Sequence, residues 1–105
     1  MSAKLSTHVL DLTTGRPAAG LALELWRAGA LVKTARTDTD GRALLLTAAE
    51  MVGGEHEIVF CVGDYFGDRS FLDRVPIRFR ITDAEAGYHV PLLCTPWAYS
   101  TYRGS

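Results

Sequence analysis

The sequence predicts an all-β sandwich of two antiparallel sheets, with seven or eight strands and one short helix or helical turn. Apolar residues alternate with polar residues along several segments, which is the periodicity of half-buried strands. Glycine, proline and aspartate interrupt these segments about every ten residues, as turns do in β-sandwiches. The 105 residues suffice for one core, so we predict a single domain over residues 1–105.

Eight segments show this alternation or a continuous apolar run, and they span residues 5–12, 21–26, 31–37, 42–46, 57–62, 75–82, 88–95 and 98–104. The clearest alternation lies in the sixth segment, where four apolar residues share one face and two arginines lie on the other. The second segment has three leucines on one face. These patterns predict strands with one face in the core and one in solvent.

Two segments between strands are candidates for helix. Residues 47–51 are predicted to form one helical turn before a Gly-Gly pair. Residues 63–73 can hold a short helix, because Asp64 has a side chain suited to capping a helix N-terminus. His56 lies between two glutamates just before the fifth predicted strand, and we expect it to be solvated.

Two predicted strands, residues 5–12 and 88–95, have an unusual outer face. With residues 98–104 they place two histidines and three large apolar side chains on that face: His8, His89, Leu10, Leu93 and Tyr102. The face is too apolar for water, so we predict that a second subunit covers it. The two histidines then lie in an interface groove.

Spacing alone favours a structural role for His8 and His89, while catalysis and ligand binding remain alternatives. No metal site is predicted, because no carboxylate or third histidine shares this face. Arg42 follows an Asp-Gly turn and is typical of a surface charge. The aromatic residues near the C-terminus, Trp97 and Tyr102 among them, are typical of packing as well as of binding.

Composition excludes several classes of partner. The formal net charge is −1, so the basic surplus typical of nucleic-acid or anionic-membrane binding is absent. No segment approaches the ~20 apolar residues of a membrane-spanning helix, and no signal peptide is apparent. Cys61 and Cys94 each lie in an apolar run, which predicts reduced, buried thiols. We therefore expect a cytoplasmic protein.

Four stretches together carry a resemblance. They span residues 5–11, 37–42, 88–93 and 99–105, and the last contains the sequence Tyr-Arg-Gly-Ser. With these motifs the chain resembles, over nearly its whole length, the transthyretin-related 5-hydroxyisourate hydrolases of purine degradation. The Tyr-Arg-Gly-Ser ending is the specific motif, because it separates the hydrolases from transthyretin itself, a hormone carrier.

The resemblance implies a prealbumin-like fold and a homotetramer, built as a dimer of dimers, with active sites in the channel between dimers. It implies catalytic roles for His8, Arg42, His89 and Ser105, and substrate-binding roles for His8, Arg42 and Tyr102. It implies no cofactor and no metal.

The implied reaction opens the six-membered ring of 5-hydroxyisourate at a cyclic amide bond. Histidine suits the proton transfers, because its ordinary pKa lies near neutral pH. Arg42 offers a planar, permanently charged fork for carbonyl oxygens. The alternative function is a transthyretin-like carrier that holds a small aromatic ligand in the inter-dimer channel.

Overall fold

Strands dominate the computed structural model, which describes residues 3–104. In chain order they are β1 (Leu5–Asp11), β2 (Arg16–Pro17), β3 (Ala22–Arg27), β4 (Ala30–Arg36), β5 (Arg42–Leu46), β6 (Gly54–Cys61), β7 (Arg74–Ile81), β8 (Tyr88–His89), β9 (Leu92–Cys94) and β10 (Tyr99–Thr101). One α-helix, α1 (Val62–Phe66), follows β6, and a single 3-10 turn (Ala48–Glu50) follows β5. Two sheets with one short helix confirm the predicted fold class.

The first sheet is built around β1. Strand β1 pairs with β5 and β2 in antiparallel fashion, and with β8 and β9 in parallel. Strand β10 adds to β9 in antiparallel orientation. The parallel pairs are a departure from the predicted antiparallel sheets. The second sheet has the order β4-β3-β6-β7, and all its pairs are antiparallel.

The core lies between the two sheets and follows the predicted alternation. Leu5, Thr7 and Val9 of β1 are all fully buried, while the residues between them are half-buried. The second sheet contributes the inward residues of β3, β6 and β7: Leu23, Leu25, Ile58, Phe60, Val75, Ile77 and Ile81. Burial of this apolar surface is what orients the opposite face of β1 outward.

The two helical segments have different outcomes. The 3-10 turn forms where it was predicted, and the Glu50 carboxylate accepts the backbone N–H of Thr47 at 2.9 Å. Helix α1 begins at Val62 and its N-cap is Cys61, which makes no side-chain capping bond. The prediction that Asp64 caps this helix is wrong, because Asp64 lies within the first turn and its carboxylate pairs with Arg69 instead.

His56 is buried, contrary to the prediction, with only 1% of its surface exposed. Strand β6 begins at Gly54, earlier than expected, so His56 shares the inward face of Ile58 and Phe60. The Nε of Arg27 donates to His56 Nε2 at 3.0 Å, and His56 Nδ1 lies 3.0 Å from the Gly54 carbonyl oxygen. Because Arg27 donates to Nε2, that nitrogen carries no proton, and because the Gly54 carbonyl only accepts, Nδ1 carries one. The ring is therefore neutral. Burial lowers the pKa of His56.

The predicted strand over residues 88–95 is divided into β8 and β9 around Pro91, which has no N–H to donate to a ladder. Both cysteines are free and buried, as predicted. Burial raises the pKa of the Cys94 thiol to about 12. Within residues 3–104, no helix has the length and apolar character needed to cross a membrane.

Candidate active site

The outer face of β1 carries the first predicted site residue. Because side chains alternate along a strand, burial of Leu5, Thr7 and Val9 directs Ser6 and His8 to the opposite face. Both are half-buried, so they remain accessible from one side.

Arg42 lies opposite His8. The two residues are Cα partners in the antiparallel β1–β5 pair, so their side chains project from the same face. The turn before Arg42 is attached to β1, because the Val9 N–H donates to the Gly41 carbonyl at 2.7 Å. Gly41 has a φ of +75°, and a Cβ there would lie 2.5 Å from the Val9 carbonyl oxygen. The turn therefore requires glycine at this position to place Arg42 beside His8.

Asp38 closes the same turn. Its Oδ1 accepts the backbone N–H groups of Arg42 and Asp40, both at 2.9 Å. The Arg42 N–H bond is the main cause that lowers the pKa of Asp38, and the Asp40 N–H and the positive charges of Arg42 and His8 add to it. The carboxylate is therefore ionised at neutral pH and holds the turn in shape.

His89 joins the group from the other edge of β1. It is the Cα partner of Ser6 in the parallel β1–β8 pair, and the Ser6 Oγ lies 2.9 Å from His89 Nδ1 within hydrogen-bond distance. Burial lowers the pKa of His89, and the positive charges of Arg42, His8 and Lys4 lower it further, while a hydrogen bond to the Ser6 backbone opposes them. His89 is therefore mostly neutral at pH 7.

The chain just before the C-terminus docks on β8. The Gly104 N–H donates to the His89 carbonyl at 2.7 Å, and a Cβ on Gly104 would lie 2.6 Å from His89 Cδ2. The Arg103 guanidinium lies over the Tyr88 ring, 4.3 Å from its centroid. Ser105, the other predicted residue of this segment, lies outside the described residues.

A cleft of about 550 Å³ opens beside this group. Its lining includes the predicted residues Arg42 and His89, and further polar residues, among them Lys4, Ser6, Arg36 and Asp38. Three cationic side chains and one carboxylate give the cleft a positive character, which suits electron-rich oxygens of a ligand.

The predicted residues are not all in one place. His8 stands next to Arg42 on the same face but is not part of the cleft lining. Tyr102 is 60% exposed and borders a second cleft of about 300 Å³, which also contains Arg103. Within one chain, Tyr102 therefore does not meet the histidines and Arg42.

Sequence reasoning did not assign a role to Ser6 or Lys4. The signal for Ser6 was its position two residues before His8, on the same face of one strand. Lys4 continues the same alternation one step earlier, just outside β1. In residues 3–104, no three histidine, cysteine, aspartate or glutamate side chains cluster closely enough to hold a metal ion.

The arrangement brings together a neutral imidazole, a second imidazole and a guanidinium on one half-buried face. Imidazoles exchange protons near neutral pH, and a guanidinium stabilises developing negative charge on oxygen. This combination can activate water against a carbonyl group without a metal.

Comparison with known proteins decides the family. The model of the HIUase/Transthyretin family matches residues 5–104. The chain belongs to the HIUase/Transthyretin family. The family match covers both sheets and every described site residue except Lys4.

Relatives within this family are similar over almost their whole length. The chain is 48% identical to a protein of Rhizobium meliloti (strain 1021) named 5-hydroxyisourate hydrolase 2, with 99% of this chain and 98% of that protein covered. It is 41% identical to the 5-hydroxyisourate hydrolase of Mus musculus, with 99% and 97% covered.

Two solved structures have the same fold. The 5-hydroxyisourate hydrolase of Klebsiella pneumoniae superposes with a TM-score of 0.88 at 36% identity, covering 98% of this chain and 99% of that one. An (S)-allantoin synthase superposes with a TM-score of 0.90 at 38% identity. It is a longer protein, of which the match covers 44%, against 99% of this chain.

Proposed function

We propose that this protein is a 5-hydroxyisourate hydrolase of urate degradation. It opens the six-membered ring of its substrate by hydrolysing a cyclic amide bond. The OH of water adds to the carbonyl carbon, the carbon–nitrogen bond breaks, and the nitrogen takes a proton. No cofactor takes part in these steps.

The observation that carries this proposal is the grouping of His8, Arg42 and His89. Three residues from three strands project from one face of the first sheet, beside a positively charged cleft. A structural role for these histidines would not require a guanidinium next to them. The high identity to relatives named 5-hydroxyisourate hydrolase supports the same reaction.

The roles follow from the chemistry of each group. Between them the two histidines activate water, move its proton and hydrogen-bond the reacting groups, and each positioned acid or base typically contributes about 10²–10⁴-fold. Arg42 binds the substrate's carbonyl oxygens and stabilises the negative charge that develops there. The backbone N–H of Arg42 donates to the Asp38 carboxylate, so the backbone that carries the guanidinium is fixed before the substrate binds.

Two further residues complete the proposed site. Ser105 contributes a polar group, and the preceding residue, Gly104, donates its backbone N–H to the His89 carbonyl. Tyr102 binds the substrate ring by hydrogen bonding or stacking. Because Tyr102 borders a separate cleft within one chain, we propose that it acts across a subunit interface.

We therefore propose a homotetramer that covers the outer face of the first sheet. Leu10 and Leu93 are Cα partners there and are only half-buried. Leu44, Trp97 and Tyr102 are each more than half exposed. Light scattering at micromolar concentration should give four times the chain mass, whereas a monomer would contradict this assembly.

We also propose a cytoplasmic location, with a small molecule rather than nucleic acid or membrane as the partner. Cys61 and Cys94 are unpaired and buried in separate places, which suits a reducing compartment. The formal net charge of −1 offers no surplus for a polyanion.

The test is the decay of freshly prepared 5-hydroxyisourate, followed by its ultraviolet absorbance. We expect the purified protein to accelerate the decay catalytically, with many turnovers per chain. Stoichiometric binding without turnover would instead support the carrier function. A His8→Asn protein, prepared in parallel, controls for a contaminating hydrolase, because its contaminants are the same while its own activity should be largely lost.

A further inference from the structure

Ser6 makes one contact that the proposed reaction has not used. Its Oγ lies 2.9 Å from His89 Nδ1, and the pair is partly buried. The backbone sets this distance on both sides, because Tyr88 N–H donates to the Lys4 carbonyl at 2.8 Å and Val90 N–H donates to the Ser6 carbonyl at 2.9 Å. The parallel pairing of β1 and β8 therefore brings the two side chains together, and the hydrogen bond with Ser6 Oγ then orients the His89 ring.

The protein partners within reach favour one direction for this hydrogen bond. A serine hydroxyl carries one proton, and within residues 3–104 the His89 Nδ1 is the acceptor that Ser6 Oγ reaches with it. If Nδ1 carried the proton instead, the hydroxyl would accept, and its own proton would need solvent in the cleft as its partner. Donation by Ser6 to Nδ1 leaves the single ring proton of neutral His89 on Nε2.

The charges around His89 keep the ring neutral. They come from Lys4 before β1 and Arg42 on β5, with His8 on β1 adding its charge whenever it is protonated, and together with burial they lower the pKa of His89. Asp38 is the carboxylate that lines the same cleft, and it is engaged with the backbone of the Arg42 turn. A neutral ring has two tautomers, and Ser6 selects between them.

We infer that Ser6 is a positioning residue that holds neutral His89 in the tautomer with its proton on Nε2, so that His89 offers the substrate a hydrogen-bond donor. This inference rests on the proposed hydrolase function. A neutral imidazole N–H is too weak an acid to give up its proton near neutral pH, but it stabilises a developing oxyanion well. His8 is then the group that takes the proton from water and returns it to the leaving nitrogen.

The test compares Ser6→Thr with Ser6→Val. The two side chains have nearly the same shape and both suit a strand, but only threonine keeps the hydroxyl. Nitrogen-15 NMR of the ring nitrogens at a pH above the His89 titration should find the proton on Nε2 in the wild type and in Ser6→Thr. In Ser6→Val the ring should populate both tautomers. This readout does not depend on activity.

Turnover supplies the second readout. Loss of one neutral hydrogen bond should lower kcat roughly tenfold in Ser6→Val, with KM nearly unchanged and Ser6→Thr close to the wild type. Thr34→Val removes an exposed hydroxyl on β4 of the other sheet and should leave kcat unchanged. A wild-type ring with its proton on Nδ1, or a folded Ser6→Val protein with the wild-type kcat, would overturn the inference. If the wild type does not hydrolyse 5-hydroxyisourate, the proposed function fails, and the tautomer measurement still decides the role of Ser6.

Discussion

His8 and Arg42 are Cα partners across the antiparallel strands β1 and β5, so an imidazole and a guanidinium share one face of the first sheet. A permanent positive charge favours the neutral form of a nearby imidazole, and the charge of Arg42 helps to lower the pKa of His89. Arg42 therefore has two effects in the proposed site: it binds oxygen atoms of the substrate and it biases His89 toward the neutral form.

Arg42→Lys tests the first effect. Lysine keeps the positive charge but loses the planar fork, so we expect kcat/KM to fall by roughly tenfold or more while the folded structure persists. Steady-state kinetics and thermal unfolding should be measured on the same samples. Arg69→Lys is the matched control, because Arg69 is exposed near α1 and pairs with Asp73 away from the cleft. Full activity in Arg42→Lys would reduce Arg42 to a surface residue.

His8→Asn and His89→Asn should each lower kcat by about 10²–10⁴-fold, or roughly 3–5 kcal/mol of transition-state stabilisation. Asparagine cannot exchange a proton near neutral pH. Its amide is also shorter than the imidazole ring and reaches only the position of Nδ1, so nothing replaces the group at Nε2. If the two histidines act as one unit, the double variant should be little worse than either single variant. A structural role makes the opposite prediction, with lower unfolding temperatures and normal specific activity in the folded fraction.

Gly41→Ala should destabilise the protein and lower kcat, because the new Cβ would meet the Val9 carbonyl and displace the turn that carries Arg42. Gly29→Ala is the matched control: Gly29 has a φ of +76°, but a Cβ there has no neighbour within 4 Å. It should cost only the strain of a left-handed alanine, about 1–2 kcal/mol. Urea unfolding measures the stability of the two variants and steady-state kinetics measures their kcat. Equal losses of stability and of kcat in Gly41→Ala and Gly29→Ala would contradict the steric explanation.

Gly104→Ala should lower activity with little loss of stability. The added methyl group would meet the His89 ring at Cδ2, while the docked segment is short and near the chain end. We expect a change in the NMR signals of the His89 ring, together with a fall in kcat. Gly15→Ala, in an exposed turn where a Cβ has open space, is the control for a glycine substitution distant from the cleft. An undisturbed His89 ring would show that the contact is not restrictive.

His56 should make stability depend on pH. Its folded-state pKa lies below the ordinary value of 6.5, so the unfolded chain binds a proton more readily. The contribution of His56 to the free energy of unfolding is constant above about pH 6.5. As the pH falls from there toward the lowered pKa, the free energy of unfolding decreases by at most about 1.4 kcal/mol per pH unit.

Urea unfolding of the wild type and of His56→Gln between pH 7.5 and pH 5 measures this loss. Glutamine keeps an acceptor for Arg27 and a donor for the Gly54 carbonyl but does not titrate. The difference in stability between the two proteins should shrink in size, or change sign in favour of glutamine, as the pH falls. A difference that does not change with pH would contradict the assignment of His56 as a buried neutral ring.

Local sequence patterns were sufficient for the strands and for the orientation of their side chains. Alternation in β1 and β7 depends only on the period of an extended chain, so burial of Leu5 and the outward orientation of Ser6 and His8 could be predicted. The Asp-Gly turn before Arg42 is also local, because the positive φ of Gly41 is encoded by glycine itself.

Contacts between distant segments were decided by the tertiary structure. Ser6 and His89 are 83 positions apart, and they meet because β8 pairs in parallel with β1 in one particular register. A shift of one residue would reverse both faces, and burial of the core selects the register that avoids this. In the same way, the early start of β6 turned His56 inward, and the position of β10 at the sheet edge left Tyr102 outside the main cleft. The alternation in the sequence determined which face each side chain occupies, while strand pairing, which depends on the whole core, decided which of those side chains become neighbours.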